Sequence, residues 1–229
     1  MVPSAGNNAS SVSRTGRSKL ATWTGLFVAL FGLFVIRLAV HFVSRDPAPA
    51  LVLVREVLIF ASAGALLVLV QRGEKLPLRT IGLGTSAWWR SALWGLLPMF
   101  LCGGAAELLG MVTKGGSGTA SPFDRLPLWV FVLIVFRAGI VEELFYRGYA
   151  IERLRAMGAG RLVSAALPLS VFVVGHYRGA WVDVLQPLVL GGILTGFYLW
   201  RRDLVANIVG HTLVDLVGTG IIGQILKSL

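Results

Sequence analysis

The chain has 229 residues, of which 55% are apolar and 14% charged, and its mean hydropathy of +0.77 excludes an ordinary water-soluble domain. The bilayer is therefore its solvent, and one helical bundle of about six to eight spans fits this length, because each crossing takes about 20 residues plus a loop. The net charge of +10 sits in short Lys and Arg clusters between apolar runs and forms no continuous basic stripe, so membrane topology explains it and a nucleic-acid partner is not expected.

Residues 1–20, rich in Ser, Gly and Asn and carrying Arg14, Arg17 and Lys19, read as a disordered cytoplasmic tail. The apolar run from Trp23 to Val43 is too long for a signal-peptide core. Although Ala48-Pro49-Ala50 resembles a small-residue cleavage site, further spans follow, so a retained anchor is expected. Apolar runs recur near 51–70, 91–112, 126–146, 161–177, 184–200 and 204–226, making seven candidate spans of an all-α, polytopic bundle. Residues 21–124 form an amino-terminal group of helices, with a Trp-bearing interfacial stretch near 72–90, and residues 125–226 form a second group that holds the candidate chemistry. Pro98, Pro127, Pro168 and Pro187 fall at kink or helix-start positions. The single cysteine, Cys102, lies in an apolar run and excludes a disulfide framework or a Cys-based metal cluster.

Connecting charges orient the bundle. Thirteen of the 21 Lys and Arg residues fall in 14–19, 72–90, 147–161 and 201–202, against five at 45, 114, 125, 178 and 227. Basic residues accumulate on the cytoplasmic side, so the amino terminus is expected there and the carboxyl end outside, in a multi-pass protein of the cell membrane. Arg37 and Arg55 lie near span ends and read as snorkelling to the interface, whereas Arg137 admits either a structural or a functional reading.

Ionisable groups at membrane depth cost roughly 2.5–3.5 kcal/mol each on insertion scales, so a cluster of them requires a reason. Three occur here. In Glu142-Glu143-Leu144-Phe145-Tyr146-Arg147, the i,i+4 spacing puts Glu143 and Arg147 on one helical face and turns Glu142 away, so Arg147 is expected to hold Glu143 and leave Glu142 free as a general base. The alternative for this cluster alone is a solvated ion pair at a helix end. Phe172-x-x-x-His176 and His211-x-x-x-Asp215 follow, both in apolar helices, with Asp215 placed to orient His211 or to join it at a developing oxyanion. His41 has no such company and reads as structural. Ala159, in the Gly158-Ala159-Gly160 turn, is 17 residues from both Glu142 and His176, which puts those two at one level, roughly 25 Å from the turn. His211, nine residues past Arg202, would lie only about 13 Å from its own turn. The levels agree if the stretch from Arg147 to Arg161 protrudes into the cytoplasm.

The series Glu-Glu-x-x-x-Arg, Phe-x-x-x-His and His-x-x-x-Asp on successive apolar helices resembles the CPBP family of intramembrane proteases, which includes type II CAAX prenyl endopeptidases. It covers roughly residues 125–220, and Glu142-Glu143-Leu144-Phe145-Tyr146-Arg147-Gly148 resembles the family's first motif almost letter for letter. The resemblance implies an endopeptidase acting on a membrane-embedded peptide or protein. Glu142 and His176 would activate water, His211 and Asp215 would stabilise the tetrahedral intermediate, and Glu143, Arg147 and Phe172 would support them. Asp215 stands where Asn is common, and an ionised Asp cannot donate to an oxyanion, which shifts its expected role toward orienting His211. Metal-free catalysis is favoured, although His176, His211 and Glu142 would also make a Zn²⁺ ligand set. Gly115-Gly116-Ser117-Gly118 matches a short rhomboid-like serine-protease pattern but reads as a flexible loop. Two other classes stand against a protease: a non-enzymatic scaffold or bacteriocin-immunity-type protein, and a transporter using buried Glu and His.

Overall fold

A computed structural model describes residues 7–44, 48–84, 87–113 and 127–218, with side chains from residue 19 onward. The Gly115–Gly118 motif lies outside the described residues. The described residues contain helices and turns and no strand, as the hydropathy pattern requires: in lipid a helix satisfies its own backbone.

Helix α1 spans Asn7–Val43, so regular backbone reaches into the stretch expected to be disordered. Once the apolar part is helical, each added residue costs little, and nothing between Asn7 and Lys19 is a proline. Helix α2, Pro49–Val68, starts on a proline and runs into a π turn, Leu69–Gly73. The predicted interfacial stretch then holds a 3₁₀ turn, Leu78–Ile81, closed by Gly82 in the left-handed region. Helix α3 spans Trp88–Val112. After Pro127, helix α4 (Leu128–Arg137), a π segment (Ala138–Ile151) and helix α5 (Glu152–Ala156) follow one another without a break and form a single rod. A turn with Gly158 at positive φ leads to α6, Arg161–Val174, then α7, Val182–Arg201, and α8, Leu204–Gly218.

Within the described residues, each of the seven apolar runs becomes one helical body. Among the described residues, four helices are long and apolar enough to cross a membrane: Lys19–Val43, Pro49–Gly73, Trp88–Val112 and Val182–Arg201. Helices α6 and α8 are shorter apolar helices. The π segment packs against α1, α2, α6 and α8, so nearly all of its side chains are buried. Close approach of α3 to α8 depends on Gly95 and Gly210, where a Cβ would lie 2.8 Å from the Ala206 and Gly95 carbonyl oxygens, respectively. Large apolar side chains point outward, among them Phe27, Phe34, Phe100, Met111 and Leu162, while Glu56, Glu142, Glu143 and Arg147 are buried. This inversion of the water-soluble pattern is that of a membrane protein, with lipid outside and charge inside.

Candidate functional site

The π segment carries Glu142, Glu143 and Arg147 on neighbouring turns. Single π turns inside helices recur at functional sites, and the wider i→i+5 turn here presents an unusual density of side chains inward. Arg147 Nη1 donates to Glu143 Oε1 at 2.7 Å, as the i,i+4 spacing predicted. Arg147 also donates to the Gly191 carbonyl at 3.1 Å and lies over the Phe172 ring, 4.6 Å from its centroid. Glu143 is fully engaged: Asn207 Nδ2 donates to its Oε2 at 2.9 Å, and His211 Nδ1 lies 2.7 Å from its Oε1.

Glu142 is turned away from Arg147, yet it is not free. Arg137 Nη1 donates to its Oε1 at 2.7 Å, and Arg37 Nη2 reaches the same oxygen at 3.4 Å. A carboxylate as buried as Glu142 requires compensating charge, and two guanidinium groups supply it. The snorkelling expected of Arg37 and Arg55 is therefore corrected: Arg37 turns inward to Glu142, and Arg55 pairs with the buried Glu56 at 2.6 Å. Arg137 resolves to a site residue. Its Nε donates to Glu56 Oε2 at 2.7 Å while its Nη1 holds Glu142.

His176 stands just past the end of α6, not inside it, because the helix stops at Gly175 and its last turn tightens so that the His176 N–H bonds the Val173 carbonyl. Its Nδ1 lies 2.7 Å from the Phe172 carbonyl oxygen, which must accept, so Nδ1 carries the proton and Nε2 faces Glu142 Oε2 at 3.9 Å. That separation is too long for a direct hydrogen bond and suits a bridging water. The Phe172 ring also packs against His176, tilted by 45° with ring centroids 4.4 Å apart. On α8, His211 Nε2 lies 3.6 Å from Asp215 Oδ2. The residue expected to orient His211 was Asp215. The shorter contact comes from Glu143, on the opposite ring nitrogen.

Glu142, His176, His211 and Asp215 line one cavity of about 560 Å³, within the range of ligand-binding clefts. The hairpin argument thus agrees with the contact between Glu142 and His176, and α8 delivers His211 to the same space. Among the described residues no group of three His, Cys, Asp or Glu side chains is arranged to hold a metal ion. His176 and His211 each hold Nδ1 on an acceptor, the Phe172 carbonyl and Glu143, which leaves Nε2 as the second ring nitrogen of each; such contacts orient imidazoles in metal-free and in metal-binding sites alike.

Glu56 and Asn207 had escaped notice in the sequence. Asn207 carries a legible signal, since it lies four residues before His211 and hence on the same face of α8. Glu56 adjoins Arg55 and reads alone as half of a local pair.

Compared with known proteins, residues 124–217 match the family model described as "Type II CAAX prenyl endopeptidase Rce1-like". No curated protein and no solved structure matches the chain.

Proposed function

We propose that the chain, whose residues 124–217 match an Rce1-like model, is a membrane protein of the CPBP family that hydrolyses a peptide bond in a membrane-associated protein or peptide. Glu142 and His176 activate the water without a metal. The observation that carries this reading is the placement of Glu142 Oε2 and His176 Nε2, two proton acceptors 3.9 Å apart, at the wall of a cavity that also receives His211.

A water between these acceptors donates one hydrogen to each, which leaves a lone pair aimed at the carbonyl carbon of a bound peptide. Attack forms the new C–O bond and passes the water's proton to the acceptor pair, while the carbonyl oxygen takes the negative charge. His211 meets that oxyanion. Held by Glu143 at Nδ1 and facing Asp215 at Nε2, an imidazolium donates from both nitrogens, and the Nε2–H is the one available to the oxyanion. Collapse breaks the C–N bond, and the proton taken from water passes to the leaving amine. Glu143, Arg147 and Phe172 hold these groups in place without touching the substrate. The amino terminus faces the cytoplasm in this reading.

The test is cleavage of a panel of membrane-anchored peptide tails, prenylated and unmodified, by purified protein in liposomes, with and without a chelator. Loss of cleavage in Glu142→Ala and His211→Ala, with no effect of the chelator, is the expected result. Loss on chelation overturns the metal-free mechanism, and equal cleavage by all three proteins overturns the site.

A further inference from the structure

The mechanism uses one oxygen of Glu142, and something must hold the carboxylate so that the oxygen not bound by Arg137 faces His176. The groups beside it form a chain of alternating charge, Arg55, Glu56, Arg137, Glu142 and Arg37, with the middle three buried and the two end arginines half-buried. Glu56 is wholly buried on α2, 81 residues before Arg137, and both its oxygens are used, Oε1 by Arg55 at 2.6 Å and Oε2 by Arg137 Nε at 2.7 Å. Arg137 is in turn gripped on two edges, Nε by Glu56 and Nη1 by Glu142 Oε1.

A guanidinium is planar and presents its donors in a fixed fork, so an acceptor on the Nε edge sets the rotation of the whole group and hence the direction of Nη1. Fixing Nη1 fixes the direction of the Glu142 carboxylate, with one oxygen bound and the other toward His176. Neither Glu56 nor Arg37 lies within residues 124–217, so the catalytic carboxylate is oriented from outside the matched domain.

We propose that Glu56 is a positioning residue for hydrolysis: acting through Arg137, it holds Glu142 with Oε2 toward the water and His176. This rests on the reading of Glu142 as the group that activates water. It assigns a catalytic contribution to the amino-terminal helices, which serve as more than packing for the Rce1-like domain.

The experiment measures kcat and KM for Glu56→Gln, Arg137→Gln and the double variant, on the peptide from the panel that wild type cleaves fastest. Glu74→Gln, which perturbs another buried ion pair, serves as control. Displacement of a catalytic group by about 1 Å costs on the order of 100-fold, so Glu56→Gln is expected to lower kcat by roughly 10- to 100-fold with KM little changed. Arg137→Gln should lower kcat at least as much. Adding Glu56→Gln to Arg137→Gln should cost less than about twofold more, because the pathway it acts through is already broken. A merely structural Glu56 would not produce that non-additivity. Should Glu56→Gln fail to fold, Glu56→Asp keeps the charge and shortens the reach by one methylene, and the same fall in kcat is expected. Normal kcat in the variant that folds, multiplicative losses in the double variant, or an equal loss in Glu74→Gln overturns the proposal while the protease reading stands. A wild type that cleaves nothing overturns both.

Discussion

At the residue scale, the site is built from charges that each carry a specific partner. Arg147 illustrates the cost of removing one: Glu143 would keep Asn207 and His211 but lose its guanidinium partner in a buried setting. Breaking a buried ion pair from one side costs about 3–5 kcal/mol, so Arg147→Ala is expected to lower the thermal midpoint in detergent sharply, and Arg147→Lys less so. A thermal scan showing Arg147→Ala as stable as wild type would remove the structural role assigned to this pair. The pairing of Glu143 with Arg147 was legible because it is local, fixed by i,i+4 spacing alone. The partners of Glu142 were not. Arg37 lies 105 residues away and Glu56 reaches Glu142 only through Arg137, and no periodicity within one helix reports such contacts.

At the element scale, the π segment is the axis of the site, and its fit depends on a close approach to α8. A Cβ on Gly139 would lie 2.0 Å from Thr212 Oγ1, inside any allowed contact, so Gly139→Ala is expected to push the two helices apart. Overpacking of this kind costs about 1–3 kcal/mol, and because Thr212 adjoins His211 the variant should also lose activity. Trimming the partner in Gly139→Ala/Thr212→Ala removes the worst contact and should recover part of both; no recovery in melting or cleavage would show that this approach is not what holds α8. The helices themselves were readable, one per apolar run, because hydropathy acts over 20 residues at a time. The π winding was not, since 100° per residue was the only period assumed for Glu142 and Arg147. The end of α6 before His176 was missed for a similar reason: the apolar run continues to Tyr177, but Gly175 and a tightened last turn stop the helix.

At the scale of the whole molecule, the buried charged groups among the described residues are gathered into two regions. One is the cavity with Glu142, His176 and His211. The other joins the opposite end of the rod to the amino-terminal helices, where Glu74 accepts from Thr22, Tyr149 and Arg153, and Glu152 pairs with Arg202 and Tyr198. Nothing in the chemistry uses this second region. Glu74→Ala, which strands Arg153, is therefore expected to destabilise the protein by about 3–5 kcal/mol while leaving kcat of the folded fraction within about twofold of wild type. A large fall in kcat at full folding would mean that the two regions are coupled. The outward apolar surface belongs to the same division of labour. Phe100 is exposed, and Phe100→Arg would place a charge in lipid at roughly 2.5–3.5 kcal/mol, so reduced membrane insertion is expected, measurable as the fraction extracted by carbonate.

The division between a buried charged site and an apolar exterior has one decisive reading, whether Glu142 turns over substrate. Glu142→Gln keeps the shape of the side chain and a hydrogen-bond acceptor for Arg137 but cannot take a proton from water. Its kcat on the fastest-cleaved membrane-anchored peptide, compared with wild type at matched folding, is expected to fall by about 100- to 10,000-fold. Turnover at the wild-type rate by a folded Glu142→Gln protein would contradict the assignment of Glu142 as the group that activates water.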